Sequence, residues 1–115
     1  MSFRYAAAAS LLTLLAGAAQ ANDFPTVERV LFVEACVRDH PDRPRQEMVY
    51  KCSCAIDAMA EQVGYDDYVE LSTAADASQI AGERGTAVRE SNEGRDMAKK
   101  FKTIKAKALT DCMIR

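Results

Sequence analysis

The placement of four cysteines most constrains what this chain can fold into. Cys52 and Cys54 are separated by one residue inside the amphipathic segment 48–68, whereas Cys36 and Cys112 lie far away on either side. In a helix, positions two residues apart point about 160° away from each other. Cys52 then falls on the apolar side of the helix and Cys54 on its polar side. This arrangement predicts a central helix to which flanking helices are attached by disulfides.

The N-terminus predicts export from the cytoplasm. Arg4 is the only charged residue in the first 21, an apolar run extends over 5–19, and Ala19-Gln20-Ala21 offers small residues at both positions that a signal peptidase reads. This is the pattern of a signal peptide cleaved after Ala21, and the run is short for a membrane span. We therefore predict a periplasmic or secreted domain, residues 22–115, with no membrane contact after cleavage. Disulfides persist in such compartments, and an even number of cysteines in a small exported domain favours two of them.

Apolar periodicity predicts an all-α domain, a small bundle of four to five helices with two disulfides. Two prolines within 41–44 end the first helix, and a turn this short favours an antiparallel neighbour. Gly64 is expected to end the second helix as a left-handed cap. No alternating pattern typical of strands occurs. Helices are predicted at about 26–38, 45–63, 67–75 and 95–113, with loops at 82–85 and 91–94 and at most a short helix between the loops.

Each of three helices has a predicted core face. In the first helix it comprises Val30, Val33 and Val37, with Cys36 on its flank. In the second it comprises Met48, Cys52, Ala55, Ile56, Met59 and Val63. In the last it comprises Met97, Phe101, Ile104, Ala108 and Cys112.

These faces predict the disulfide pairing. Cys52 and Cys112 both occupy core faces and form the favoured first pair. Cys36 and Cys54 both lie off the core centre and form the second. The alternative, Cys36–Cys52 with Cys54–Cys112, stays open, because four cysteines allow three connectivities. A Cys52–Cys54 bridge is disfavoured, since the two side chains diverge within one helix.

Two functional interpretations compete with structural disulfides. Cys52-Ser53-Cys54 could act as a redox dithiol, which usually needs a thiol pKa lowered by a helix N-terminus or a cationic neighbour. The two cysteines lie about two turns inside their helix, and although Lys51 is adjacent, no thioredoxin-like strand pattern surrounds them. Cys52 and Cys54 could instead bind Cu(I) together with Met48, one turn from Cys52. Methionines at helical spacing more often fill cores. We therefore predict structural cysteines and no cofactor.

No residue stands out as catalytic, and the chain is predicted not to be an enzyme. His40, the only histidine, precedes a proline in a turn, and no serine lies in a nucleophile motif. Asp66, Asp67 and Glu70 lack the spacing of a calcium loop, and acids near a helix start are favoured by the helix dipole. Four further acids are interpreted as a solvated surface: Glu83, Glu90, Glu93 and Asp96.

Charge is unevenly distributed along the chain. Residues 22–93 contain 7 Lys or Arg and 15 Asp or Glu, whereas residues 94–115 contain 7 and 2. A basic tail can bind nucleic acid, but the whole domain lacks the strongly basic face that such binding requires. We predict that the basic last helix packs against an acidic body and that nucleic acid is not a partner.

Several short stretches carry a family resemblance. Lys51-Cys52-Ser53-Cys54, the sequence 65–69, the Gly-Glu-Arg-Gly of 82–85 and Cys112 resemble small four-cysteine helical periplasmic proteins. Such proteins are associated with gene clusters for quinoprotein alcohol dehydrogenases. The resemblance carries no catalytic residue, so it adds context and no mechanism. We expect a non-enzymatic binding or accessory protein that engages another exported protein, through the apolar face of the third helix or through segment 76–94. These two surfaces have the least obvious role in the core.

Overall fold

A computed structural model describes residues 22–115, so the predicted signal peptide at 1–21 lies outside the described residues. The described chain is all-helical and contains two disulfides, which confirms the predicted fold class. No helix within it is long and apolar enough to cross a membrane. Its five helices are α1 (Thr26–Arg38), α2 (Arg45–Gln62), α3 (Tyr65–Ser78), α4 (Glu83–Glu90) and α5 (Asn92–Asp111).

The helices pack in a series with α2 and α5 at its centre. The turn containing Pro41 and Pro44 folds α1 back against α2, as expected. The other side of the bundle is formed by α5, which packs against both α2 and α3, and α4 lies against α3 and α5. Their shared core consists of Phe24, Phe32, Cys36, Met48, Cys52, Ala55, Ile56, Met59, Tyr68, Leu71, Ile104, Ala108, Cys112 and Ile114.

The segment before α1 anchors the two halves of the bundle to each other. The Phe24 side chain is buried, and its ring centroid lies 4.8 Å from that of Tyr68 and 5.4 Å from that of Tyr65. Beside it, the Tyr65 N–H donates to the Asp23 carboxylate over 3.0 Å. This contact satisfies one of the free N–H groups at the start of α3. Tyr68 is therefore a core residue, and the half-buried Tyr65 packs against the core at the α2–α3 corner.

Two helices, α4 and α5, begin earlier than predicted within the 82–94 region. Gly82 has a φ of 89°, which a glycine adopts at little cost, and α4 starts at the next residue. Ser91 then caps α5, because its Oγ accepts a hydrogen bond from the Gly94 N–H at 2.8 Å. The predicted loops are therefore helix starts. By contrast, Gly64 has a φ of −71°, so the predicted left-handed cap after α2 is wrong.

The last helix ends two residues before its predicted end. Met113 adopts a φ of 58°, and the Ile114 N–H donates to the Leu109 carbonyl at 2.9 Å. This is the left-handed ending common at helix C-termini, in which the following apolar residue turns back onto the helix. Ile114 is accordingly buried, while Met113 is exposed.

The buried face of α1 differs from the prediction. Phe32 and Cys36 are its buried residues, whereas Val33 and Val37 are half-buried and Val30 is exposed. The core face is therefore rotated by about 100°, one residue, from the valine stripe. An aromatic ring removes more apolar surface from water than a valine, which explains why Phe32 faces inward.

This rotation explains why the disulfide pairing differs from the favoured prediction. The bonds are Cys36–Cys52, with a Cα–Cα distance of 6.0 Å, and Cys54–Cys112, at 5.9 Å. The favoured pairs Cys52–Cys112 and Cys36–Cys54 are wrong, and the alternative pairing is correct. Because Cys36 faces the core, it meets Cys52 on the apolar side of α2. Cys54, on the other side of α2, reaches the end of α5.

Candidate functional site

Both cysteines of the Cys52-Ser53-Cys54 motif are bonded to distant partners. Cys52 is fully buried and joins α2 to α1, whereas Cys54 is exposed and joins α2 to Cys112 beyond α5. The nearby candidate ligand Met48 is part of the core. In this oxidised form neither sulfur of the motif is a thiolate, which is the form that binds metals and attacks disulfides.

The remaining polar candidates have local structural roles. The Nδ1 atom of His40 lies 2.8 Å from the Cys36 carbonyl oxygen, so the half-buried imidazole caps the end of α1. Asp66 and Asp67 lie in the first turn of α3, where the helix dipole favours them. The described residues contain no group of three or more His, Cys, Asp or Glu side chains placed to hold a metal ion.

An open apolar cavity lies where α3, α4 and α5 meet. Its volume is about 490 Å³, within the range of ligand-binding pockets. The apolar lining comes mostly from small side chains, which leave this space unfilled. It comprises Ala74 and Ala77 of α3, Ala87 and Val88 of α4, and Gly94 and Met97 of α5.

A second, more polar cavity of about 310 Å³ continues the first along the seam between α3 and α5. Glu70 and Met97 line both cavities, so the two adjoin, and together we call them the α3–α5 cleft. Between Asp67 and Ala77 the cleft follows about ten residues of α3, or roughly 15 Å of helix. It is therefore long enough for several residues of an extended or helical peptide.

Four carboxylates line the α3–α5 cleft. Asp67 and Glu70 project from α3, and Glu93 and Asp96 from α5; all four residues are exposed. The basic residue Lys100 also lines the cleft. Within residues 22–115, none of the four carboxylates takes part in an ion pair. The cleft thus combines an apolar floor with an excess of negative charge.

Two glycines allow the close packing that forms the cleft. A Cβ on Gly85 would overlap the carbonyl oxygen of Ile80 in the preceding loop. A Cβ on Gly94 would lie 2.7 Å from the Val88 carbonyl oxygen, closer than real Cβ contacts allow. Glycine at both positions lets α4 lie directly on the loop before it and on the first turn of α5.

The basic last helix does not neutralise this acidic surface. It packs against α2 and α3 as predicted, but through its apolar face. Within the described residues its one lysine ion pair joins Lys107 to Asp111 of the same helix. The lysines of α5 are mostly exposed, and the ion pairs of residues 22–115 include none between this helix and the rest of the domain.

A second apolar surface lies on α1. Val27, Val30 and Leu31 are 64%, 50% and 55% exposed and share one side of the helix. Beside them, a groove of about 350 Å³ lies between α1 and α2. The valine periodicity placed Val30 in the core, so this exposed surface was not predicted. Its three exposed residues are aliphatic and carry no charge, whereas four carboxylates line the α3–α5 cleft. The α1 surface therefore says less about the chemistry of a partner.

The α3–α5 cleft was only partly visible in the sequence. It falls on the third helix and segment 76–94, the region expected to bind a partner. Glu93 and Asp96 were interpreted as solvated surface, because nothing local shows that α5 brings them opposite α3. The spacing of Ala74 and Ala77, together with Gly85 and Gly94, was the available sign of close helix packing.

Comparison of the chain with protein-family models, with curated proteins and with solved structures finds no match. The resemblance based on residues 51–54, 65–69, 82–85 and Cys112 therefore stays a prediction.

Proposed function

We propose that this protein is a non-enzymatic binding or accessory protein that engages another exported protein through the α3–α5 cleft. The observation that carries the proposal is the open, largely apolar cavity in the cleft, which has a volume of about 490 Å³. An apolar groove of this size exposes surface whose burial is favourable, at roughly 25 cal/mol per Å². The two disulfides are compatible with an exported protein, because such bonds persist in oxidising compartments.

A photo-crosslinking amino acid at Ala87 tests this proposal directly. Ala87 is an exposed residue that lines the cleft, so a partner seated there would lie within reach of the probe. The matched control places the same probe at Ala106, an exposed alanine of α5 outside the cleft. Both proteins are exported by the cells that naturally produce them and irradiated there.

We expect one exported protein to crosslink reproducibly at Ala87 and not at Ala106. An unlabelled excess of the wild-type chain should compete for this product, whereas an excess of Ala87→Trp, which fills the cleft, should not. No crosslinked protein above background, or the same products from both probe positions, would contradict the proposal.

The alternative function is a thiol-redox or Cu(I) protein that uses Cys52 and Cys54. The observation in its favour is that Cys54 is exposed, so that one cysteine of the Cys54–Cys112 bond faces solvent, although Cys112 is buried. Thiol alkylation of the exported protein without prior reduction tests this function. Labelling of Cys54 would support this function, and a Cu(I) titration would then test metal binding. Cysteines that stay unlabelled would favour structural disulfides.

A further inference from the structure

We propose that the α3–α5 cleft selects a segment of the partner protein in which an apolar side chain stands next to a lysine or arginine. This inference rests on the proposed function and adds the chemistry of the segment. It follows from the coexistence of two features in one groove, the alanine-lined floor and the carboxylates around it. Either feature alone would fit a wider range of partners.

The helix dipoles account for only two of the four carboxylates in the cleft. Asp67 and Glu93 lie in the first turns of α3 and α5, where the helix dipoles favour negative charge. Glu70 and Asp96 lie beyond those turns, yet both line the same cavity. Two like charges that face one groove repel each other, and Lys100, which lines the same cavity, can offset only part of the repulsion among its carboxylates. A bound lysine or arginine would relieve this repulsion.

The chain itself supplies little positive charge to the cleft. Of the described residues that line the cleft, one is basic, Lys100, and four carry carboxylates. The groove therefore carries a net charge of −3, and a concave surface of one sign concentrates the field that attracts a cation. Charge complementarity points to a basic partner segment.

The apolar floor of the cleft indicates why the bound segment also carries an apolar side chain. Ala74 is buried at its base, and the walls are mostly apolar. They are formed by Ala77, Ala87 and Val88, with the hydroxyl side chains of Thr73 and Ser91 among them. A purely polar basic segment would leave this surface wet, whereas a leucine or phenylalanine would cover it. The roughly 15 Å length of the cleft along α3 suits four or five extended residues, at about 3.3 Å each. This length favours a peptide over a single small cation.

Synthetic peptides test the inference with the intact, oxidised protein. Three labelled ten-residue peptides are compared by fluorescence anisotropy: one of leucine and lysine, one of leucine and glutamate, and one of serine and lysine. We expect the leucine–lysine peptide to bind at least tenfold more tightly than either of the others. Its affinity should fall as salt is raised, because exposed charges are screened.

Variants of the protein separate charge from shape. Glu70→Gln with Asp96→Asn should weaken the leucine–lysine peptide about tenfold, and Ala87→Trp should abolish its binding. The control is Asp42→Asn with Glu61→Gln, which removes two exposed carboxylates outside the cleft and should leave the affinity unchanged. Equal weakening by the control pair would show nonspecific attraction to an acidic protein and would overturn the inference.

The outcomes also distinguish this inference from the proposed function. If Ala87→Trp fails to compete for the natural crosslinked partner but Glu70→Gln with Asp96→Asn competes as the wild type does, the cleft binds a partner without selecting basic residues. The inference then fails while the proposed function stands. A crosslinked product that is a second copy of this chain, confirmed as a dimer by sedimentation, would overturn both.

Discussion

Tyr68 is the residue through which three parts of the chain contact one another. Its buried ring lies against Phe24 from the N-terminal segment and, at a centroid distance of 5.8 Å, against Phe101 of α5. Its hydroxyl donates a hydrogen bond to Glu28 of α1 at 3.1 Å. Burial raises the pKa of the Tyr68 phenol, and the neighbouring Glu28 carboxylate raises it further. A phenol held in its protonated form links the stability of the fold to alkaline pH.

We predict that the free energy of unfolding falls as pH rises above about 10, the ordinary pKa of tyrosine. The folded protein keeps the Tyr68 proton to a higher pH than the unfolded chain does. Above pH 10 the unfolded state therefore binds fewer protons, and stability decreases with pH. In Tyr68→Phe this decrease should be shallower, and stability at neutral pH should be lower by about 0.5–1.5 kcal/mol through loss of one hydrogen bond.

Urea unfolding at several pH values between 8 and 11 measures both effects. Tyr50→Phe is the matched control, because the Tyr50 side chain is 73% exposed. It should leave the neutral stability and the alkaline decrease unchanged. An equally steep decrease in wild type and Tyr68→Phe would show that Tyr68 is not the group responsible.

At the scale of the element, α4 is the helix that the cleft depends on. It has eight residues, and its one buried residue is Gly85. A helix this short is unstable alone, so its position comes from contact with α3, α5 and the loop before it. Arg89 secures that loop, since its Nη1 donates to the carbonyl oxygens of Ser78 at 2.8 Å and Ile80 at 2.9 Å.

We predict that Gly85→Ala destabilises the protein by about 1–3 kcal/mol, the usual cost of forcing extra atoms into a packed site. The added methyl group would overlap the Ile80 carbonyl oxygen, so α4 must move away from the loop. Urea unfolding measures the loss, and amide exchange should localise it to α4. The same variant should weaken the leucine–lysine peptide, because α4 forms one wall of the cleft.

Gly64→Ala is the control for this substitution. The nearest heavy atom to a Cβ at that position is 3.7 Å away, an ordinary contact, and the backbone there is not left-handed. Its cost should stay below about 1 kcal/mol, the scale of changes at a helix N-cap. Equal losses at the two sites would argue against tight packing of α4.

At the scale of the whole molecule, α2 holds the bundle together through divergent cysteines. Cys36–Cys52 closes the α1–α2 hairpin and spans 16 residues, whereas Cys54–Cys112 spans 58 residues and joins that hairpin to the end of α5. In the chain-entropy model the longer loop contributes roughly 4 kcal/mol and the shorter roughly 3. The two bonds also differ in solvent access, because Cys36 and Cys52 are both buried, whereas Cys54–Cys112 has one buried cysteine and one exposed cysteine, Cys54.

We predict that mild reduction of the native protein opens Cys54–Cys112 before Cys36–Cys52. Limited treatment with a phosphine reductant, followed by alkylation, should label Cys54 and Cys112 first. In urea the difference in rate should largely disappear, because both bonds are then accessible. Labelling of Cys36 and Cys52 first would contradict the structure.

Mass spectrometry of this experiment requires fragmentation between residues 52 and 54. No Lys or Arg stands between them, so trypsin leaves both cysteines in one peptide. Both inter-helix pairings then give a three-peptide species of the same mass. Backbone cleavage on either side of Ser53 assigns each partner.

Three of the five helices, α1, α2 and α5, could be placed to within three residues from sequence because their signals are local. Apolar spacing and the prolines at 41 and 44 give α1 and α2, and a single apolar face gives α5. The opposite directions of Cys52 and Cys54 follow from helix geometry alone. These features predicted a helical bundle with two disulfides centred on α2.

Tertiary packing decided the rotation of α1, and with it the disulfide pairing. The helix is apolar on two overlapping sides, one with Val30 and Val33 and one with Phe32 and Cys36. Periodicity cannot choose between such sides, since each satisfies helical spacing. The choice depends on which side buries more surface against α2, and that partner surface exists only in the folded chain.

The cleft was decided in the same way. Glu70 and Asp96 are 26 positions apart in sequence and share a groove only because α5 packs along α3. Local sequence determined the helices and the directions of their side chains. The contacts between helices determined which faces were covered and which were left open to a partner, because burial is a property of two surfaces together.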